Sequence, residues 1–303
     1  QPRTVNHFLK QTYSPKDVAA AVGVSESSLK RWADHGRLNV IRTVGGHRRI
    51  SFHEAIRFAR ESNLPITRPE ILGLPELAKA EPFRDQESSE ALQTLLTEGR
   101  AEETRALLVD LYLRGTSAAA ICDGPVREVM VRMGEHWHCD GARGIYLEHR
   151  ATDTILQAMT ALRSIVGRPT SGTTDENPAP VALGGAPSGD PYLLPSIAIA
   201  LTLCEQGLHE INLGPDTPVG ALLAAAEQYH PRLLWLSCSV TEIRPKPSVL
   251  APLLDYLDEH QAVLVTGGRG FVEKPLAPHP RVKLCDSMTE LAAFVDGFIL
   301  KAA

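Results

Sequence analysis

Residues 14–49 read SPKDVAAAVGVSESSLKRWADHGRLNVIRTVGGHRR, and the order of caps, glycines and cations in this stretch sets the expectation for the chain. Ser14 is an N-cap, Pro15 suits the first helical position, and Asp17 completes a capping box. Val18, Ala19 and Val22 share one face at helical spacing. Gly23 ends that helix, Val24 makes the turn, and Ser25 caps a second helix running from Glu26 to Asp34. Leu29 and Trp32 form its inner face. The other face carries Ser27, Ser28, Lys30 and Arg31, short donors and cations that suit the major groove. Gly36 ends this helix, and Arg37, Arg42 and the run Gly45-Gly46-His47-Arg48-Arg49 follow. Two glycines permit a tight hairpin whose basic tip would rest on phosphates or in a minor groove. The pattern predicts an all-α winged helix-turn-helix head that binds double-stranded operator DNA.

The run Arg31-Trp32-Ala33-Asp34-His35-Gly36-Arg37-Leu38, followed by Arg42 to Arg49, resembles the DNA-binding domain of the MerR superfamily, in particular its small BldC/excisionase-like branch. Cap, turn, helix and wing occur together in the right order. The resemblance covers about the first sixty residues and implies a DNA-binding domain over 1–63.

The charge distribution agrees. The 303 residues carry a net charge of -5. Residues 1–63 hold 11 Lys+Arg against 5 Asp+Glu, a balance of +6, which leaves -11 for the remainder. A basic head on an acidic body confines polyanion binding to the head. No run of 18 apolar residues and no signal peptide is visible, so a soluble, cytoplasmic protein without a membrane partner is expected. The five cysteines, at 122, 139, 204, 238 and 285, lie far apart without CxxC spacing. This argues against a disulfide framework or a structural zinc site. Cys139, in the polar run His136 to Asp140, is the one that stands apart.

Along the chain, residues 1–13 read as a polar arm with Phe8 and Tyr13 as anchors. Ser51 caps a third helix from His53 to about Glu61. Residues 64–84 form a linker with prolines at 65, 69, 75 and 82 that would let the head reorient. Residues 85–166 show four helical stretches with short connections, the pattern of a four-helix bundle. A second linker spans 167–180. Residues 181–303 alternate five apolar strands with helices, which predicts a parallel, doubly wound, flavodoxin-like (Rossmannoid) α/β domain. Ligands on such sheets bind beyond the carboxyl ends of the strands. Those ends carry Gly184-Gly185-Ala186-Pro187, Gly214-Pro215-Asp216-Thr217-Pro218, Ser237-Cys238-Ser239 and Gly267-Gly268-Arg269-Gly270, and their glycines would let a bulky ligand approach the backbone.

A bundle joined to such a sheet behind a MerR-type head resembles the cobalamin-binding photoreceptor repressors of the CarH/LitR type. The resemblance covers nearly the whole chain, and the LGPDTP run at 213–218 matches closely. It implies cobalamin between bundle and sheet, held by Gly214, Asp216, Thr217, Ser237, Ser239, Gly267 and Gly268 on the rim. Trp137, Glu148 and His149 would form the upper face, with one more residue between them than the family's spacing. The departures are specific. Tyr192 stands where the family places its cobalt-binding His, and Pro195 replaces the closing Gly of that motif. A phenol with pKa near 10 is a poor cobalt ligand at neutral pH. Binding of cobalamin without a protein ligand beneath the metal, binding of another tetrapyrrole such as haem, and an empty scaffold all stay open, and the metal ligands are unknown. No CxxCH motif supports haem. Gly267-Gly268-Arg269-Gly270 lies at the fourth strand, so a dinucleotide site is not expected.

No catalytic triad, paired carboxylates or metal-ligand cluster is evident, so the expectation is a ligand- or light-responsive transcription regulator and not an enzyme. The weaker alternative is a corrinoid carrier or enzyme, which needs no basic wing. One head reads too short a site for genomic specificity, so a homo-oligomer, a dimer or tetramer, is expected on DNA.

Overall fold

Local capping chemistry starts the head. In a computed structural model, which describes residues 12–74, 77, 88–139, 141–167 and 179–299 (the side chains at 136–139, 298 and 299 excepted), helix α1 is Pro15–Ala21. Ser14 and Asp17 cap it reciprocally, each side chain taking the other's backbone N–H at 3.2 Å. Helix α2 is Glu26–Asp34, with Ser25 accepting from the Ser28 N–H at 3.1 Å. The head is not all-helical. A three-stranded antiparallel sheet, ordered β1-β3-β2, joins β1 (Thr12–Tyr13), β2 (Ile41–Arg42) and β3 (Arg48–Ser51). The wing supplies β2 and β3. The extra strand comes from the polar arm, where Tyr13 is buried and donates its hydroxyl to the Leu72 carbonyl at 2.8 Å. Helix α3, Phe52–Glu61, closes the head with Ser51 as its cap.

The first linker differs from expectation in its first half. Thr67 and Arg68 donate their N–H groups to the Ala21 carbonyl, and Pro69–Leu72 makes a 3-10 turn against α1. Residues 64–74 are therefore strapped to the head, because Leu72 and Leu74 have an apolar face to bury. Most of 75–87 lies outside the described residues.

The bundle comprises α4 (Ser88–Glu98), α5 (Ala101–Leu113), α6 (Ala118–Ile121), α7 (Arg127–Cys139) and α8 (Gly141–Val166). Between α6 and α7, Gly124-Pro125 forces a π-type turn over Cys122–Val126, since proline cannot donate to the helical ladder. One continuous apolar core runs from Val18, Leu29 and Phe58 of the head through Leu107, Ile155 and Leu162 of the bundle.

The last unit is a five-stranded parallel sheet, ordered β5-β4-β6-β7-β8. Its strands are β4 (Val181–Gly185), β5 (His209–Asn212), β6 (Leu233–Ser237), β7 (Val263–Gly267) and β8 (Val282–Leu284). The helices are α9 (Leu194–Glu205), α10 (Val219–Tyr229), α11 (Pro247–His260), the short α12 (Arg269–Glu273) and α13 (Met288–Ile299). Alternation along β6 sends Leu234 and Leu236 into one core with α10 and α11, and Leu233 and Trp235 into the other with α9 and α13. Every β6 residue is buried, as expected of a central strand covered on both faces.

Polar ties join the units. Asp123, in the π-type turn, accepts from the N–H groups of Met288 and Thr289 at 2.9 and 2.8 Å and so caps α13. Arg163 of α8 donates through Nε to buried Glu210 of β5 at 2.8 Å. Arg60 of α3 donates to Glu205 of α9 at 3.1 Å. Among the described residues, no helix is long and apolar enough to cross a membrane.

Candidate DNA interface and cofactor rim

The basic face of the head stays accessible. Ser27, Lys30, Arg31, Arg37, Arg42 and His47 are exposed, while Ser28, Arg48 and Arg49 are half-buried. The α3 helix, not α2, packs on the bundle, so docking of the head leaves the recognition face open. The wing closes through the Thr43 N–H to the His47 carbonyl at 2.9 Å and the Gly46 N–H to the Thr43 carbonyl at 2.8 Å. Gly46 has φ +77°, a conformation that needs glycine in a turn this tight.

The cations divide into two sets. Lys30 pairs with Glu26 at 2.7 Å on its own helix. Arg48 pairs with Asp34 at 2.6 Å, tying the wing strand to the end of the recognition helix. Arg31, Arg37, Arg42 and Arg49 form no ion pair among the described residues. These four differ from Arg48, which already has a carboxylate. Asp34 was no part of the expected interface. Its three-residue distance from Arg31 resembles ordinary helix-surface charge, and its partner lies 14 positions away.

The rim of the sheet is organised by a residue absent from the expected site. Asp190 is fully buried, at 0 % exposure. Its carboxylate accepts the Tyr192 N–H at 3.0 Å and the Ser239 N–H at 2.6 Å, and its carbonyl accepts the Asp216 N–H at 2.9 Å. It therefore fastens the loops after β4, β5 and β6, across the point where strand order reverses. Asp216, at φ +50°, accepts in return from the Gly189 N–H at 2.7 Å. Thr217 is buried, and its N–H reaches the Ala186 carbonyl at 2.8 Å. Ser237 is buried beside Gly267 in the β6–β7 register. The structure thus gathers Tyr192, Gly214, Asp216, Thr217, Ser237, Ser239, Gly267 and Gly268 at one edge.

Of the upper set, Glu148 and His149 lie on α8. The His149 side chain is 73 % exposed and lies 3.7 Å from Glu148, which also accepts from the Thr152 hydroxyl at 2.8 Å. The Trp137 side chain lies outside the described residues, as does that of Cys139.

Would this rim fit a corrinoid coordinated by the protein? Tyr192 is 54 % exposed and offers a phenol, not an imidazole. Among the described residues, no group of three His, Cys, Asp or Glu side chains is placed to hold a metal ion. Most rim glycines are already accounted for by the chain itself. A Cβ on Gly184 would fall 2.1 Å from the Trp235 carbonyl oxygen and 2.3 Å from its indole. One on Gly268 would fall 2.5 Å from the Cys238 carbonyl, and one on Gly270 2.7 Å from Cys238 Sγ. Gly185 meets the Gly214 carbonyl at 2.8 Å in the same way. Of the rim glycines, Gly214 alone would give a Cβ nothing to meet within 4 Å. Next to the reversal point an apolar cavity of about 420 Å³ is lined by Pro187, Pro218, Leu223, Ile243 and Val249, none of which can ligate a metal. The residues present do not fit a corrinoid with protein-ligated cobalt. At Gly184, Gly185, Gly268 and Gly270 a Cβ would meet neighbouring backbone or side chains, so the chain's own packing calls for glycine there.

Burial sets the thiol chemistry. Burial pushes the Cys122 and Cys238 thiols up from their ordinary range, and Cys285 up to about 11. These are inert, buried groups.

Comparison with known proteins adds to this geometry. Residues 12–62 match a helix-turn-helix domain family, and residues 89–163 match a B12 binding domain family. No curated protein matches the chain. Among solved structures, the monomethylamine corrinoid protein of Methanosarcina barkeri is 17 % identical with a TM-score of 0.49, over 71 % of this chain and 100 % of that one. The methanol:cobalamin methyltransferase complex of the same organism is 18 % identical with a TM-score of 0.34, over 79 % and 88 %. A cobalamin-binding protein from Desulfitobacterium hafniense DCB-2 is 16 % identical with a TM-score of 0.32, over 70 % and 96 %. The chain joins an N-terminal helix-turn-helix DNA-binding domain to a helical B12-binding domain.

Proposed function

We propose that this protein is a DNA-binding transcription regulator, not a catalyst, whose bundle-and-sheet body serves as a sensor. The observation that carries the reading is the docked head: its recognition helix and wing remain exposed while α3 is committed to the body. Arg31, Arg37, Arg42 and Arg49 supply phosphate contacts, and Ser27, Ser28 and Lys30 face base edges. Two or more heads must act together to give a useful site length, so the body assembles a dimer or tetramer on DNA. Sedimentation on duplex DNA tests this. One protein per site at saturation refutes the assembly, and no binding at low salt refutes the regulator.

A second reading concerns what is sensed. The B12 match over 89–163 favours a corrinoid resting on the rim by surface contact alone, with no protein ligand to cobalt. The test is incubation with hydroxocobalamin followed by gel filtration and an absorption spectrum. Wild type is expected to retain cobalamin weakly. The double variant Tyr192→His, Pro195→Gly is expected to retain more and to shift the cobalt bands. If neither retains corrinoid, the sensor works through haem, through protein contacts, or through oxidation at Cys139.

A further inference from the structure

The residue that ties head to body sits at the far end of the helix that starts on the rim. Helix α9 begins at Leu194, two residues beyond Tyr192, and ends at Glu205. Its 12 residues span about 18 Å at 1.5 Å per residue. From Ser196 to Cys204 it is buried throughout, so it is held along its length and moves as a rod or not at all. At its rim end, Asp190 fastens the loop through the Tyr192 and Ser239 amides. At its other end, Glu205 faces the DNA-binding head.

That end is a three-way joint. Glu205 Oε1 accepts from Arg60 of α3 at 3.1 Å, and Oε2 accepts from the Ala118 N–H at the start of α6 at 2.7 Å. The Arg60 guanidinium lies 3.5 Å above the centroid of the Tyr112 ring on α5 and donates to the Thr116 carbonyl at 3.4 Å. Both members of the ion pair are largely covered, with side chains 16 % and 14 % exposed. Arg60 thus uses both its planar face and its fork, a combination that lysine lacks. Beside the joint, His53 of α3 bonds the Ser164 carbonyl at 2.9 Å, and a Cβ on Gly167 would fall 1.9 Å from the His53 ring. The head is therefore seated on the ends of α8 and α9.

We propose that α9 is a strut connecting the rim loop to the DNA-binding head, with Glu205–Arg60 as the joint that sets where the head sits. The inference rests on the reading of the head as a DNA reader. Any event that displaces the Asp190–Leu193 loop is then delivered to the head through α9, because a buried rod between two fixed ends transmits displacement. Arg60 and Glu205 are positioning residues: neither belongs to the exposed DNA face.

The test is a pulsed-EPR distance between nitroxides at Val44→Cys on the wing and Tyr229→Cys on α10, both exposed, in a full-length Cys139→Ser background. The four described cysteines are buried and inert to the label. Wild type should give one narrow distance distribution. Arg60→Ala and Glu205→Gln should each broaden it, with the population at the native distance falling about tenfold relative to the displaced one, and the double variant should be no broader than the worse single. Glu205→Gln keeps an acceptor for Ala118, so its effect isolates the joint even where Arg60→Ala folds poorly. Asp190→Asn, at the opposite end of α9, should broaden the same distance. A distribution that stays narrow in both Arg60→Ala and Glu205→Gln overturns the joint, and broadening in those two but not in Asp190→Asn overturns the strut. DNA binding by unlabelled wild type is scored separately, so loss of the regulator reading does not mimic loss of this one.

Discussion

Replacing Arg48 and Arg49 one at a time is expected to separate two neighbouring cations by the salt dependence of DNA binding. Each phosphate contact contributes about 0.9 to the slope of log affinity against log salt. Arg49 has no ion-pair partner among the described residues, so Arg49→Ala should flatten the slope by about 0.9. Arg48 is held by Asp34 at 2.6 Å, and its charge is already spent. Arg48→Ala should leave the slope nearly unchanged. It should weaken binding only by the loss of the wing-to-helix strut. Asp34 is 56 % exposed, so that strut is worth at most about 1 kcal/mol, or roughly fivefold in affinity. Asp34→Ala gives the reciprocal result: it frees Arg48 and removes a negative charge from the recognition helix, so the slope should steepen by up to about 0.9. The assay is fluorescence anisotropy with a generic duplex between about 50 and 200 mM salt, because the non-specific term needs no known operator. Equal flattening in Arg48→Ala and Arg49→Ala, with no change in Asp34→Ala, would refute the division of roles.

Further outcomes follow from buried groups. Burial pushes the Tyr112 phenol up to about 12 from an unfolded value near 10, so the folded state keeps its proton longer. Stability is then fully present below pH 10 and falls by about 1.4 kcal/mol per pH unit between pH 10 and 12; urea midpoints that show the same fall in Tyr112→Phe would exclude this residue as the cause. Gly184→Ala should destabilise the sheet domain by about 2 kcal/mol or more, because its Cβ would meet both the carbonyl and the indole of Trp235; an unchanged urea midpoint would show that β6 can give way.

The parts of this fold that were legible in the sequence are the ones set by short-range physics. Ser14, Ser25 and Ser51 each cap a helix because an N-cap bond spans only three residues. The inner strands β4, β6 and β7 announce themselves by apolar runs that only a doubly covered sheet can bury. What was hidden depends on pairs far apart in the chain. Arg60 and Glu205 are 145 positions apart, and each alone reads as a surface charge near a helix end. Asp190 reads as a loop residue before proline, and only its burial shows that it binds three loops together. The first linker looked flexible because prolines exclude helix, yet proline does not exclude a strap when Leu72 and Leu74 find a core.

The rim shows how the same signal supports opposite conclusions. A glycine in a strand end says that something comes close to the backbone, but it does not say what. At Gly184 the approaching group is Trp235, a large side chain in the middle of β6, and at Gly268 it is the backbone of Cys238. Two positions on β6 and its exit thus fill space that the glycines leave. Intrachain packing therefore accounts for these two glycines by itself. Gly214 is the exception: its φ of +83° marks a turn and a Cβ there would meet nothing within 4 Å, while its N–H donates to Asn212 and its carbonyl accepts from the Ala186 N–H. The loop that carries Gly214 is the one that Asp190 fastens, through the Asp216 amide, to the start of α9.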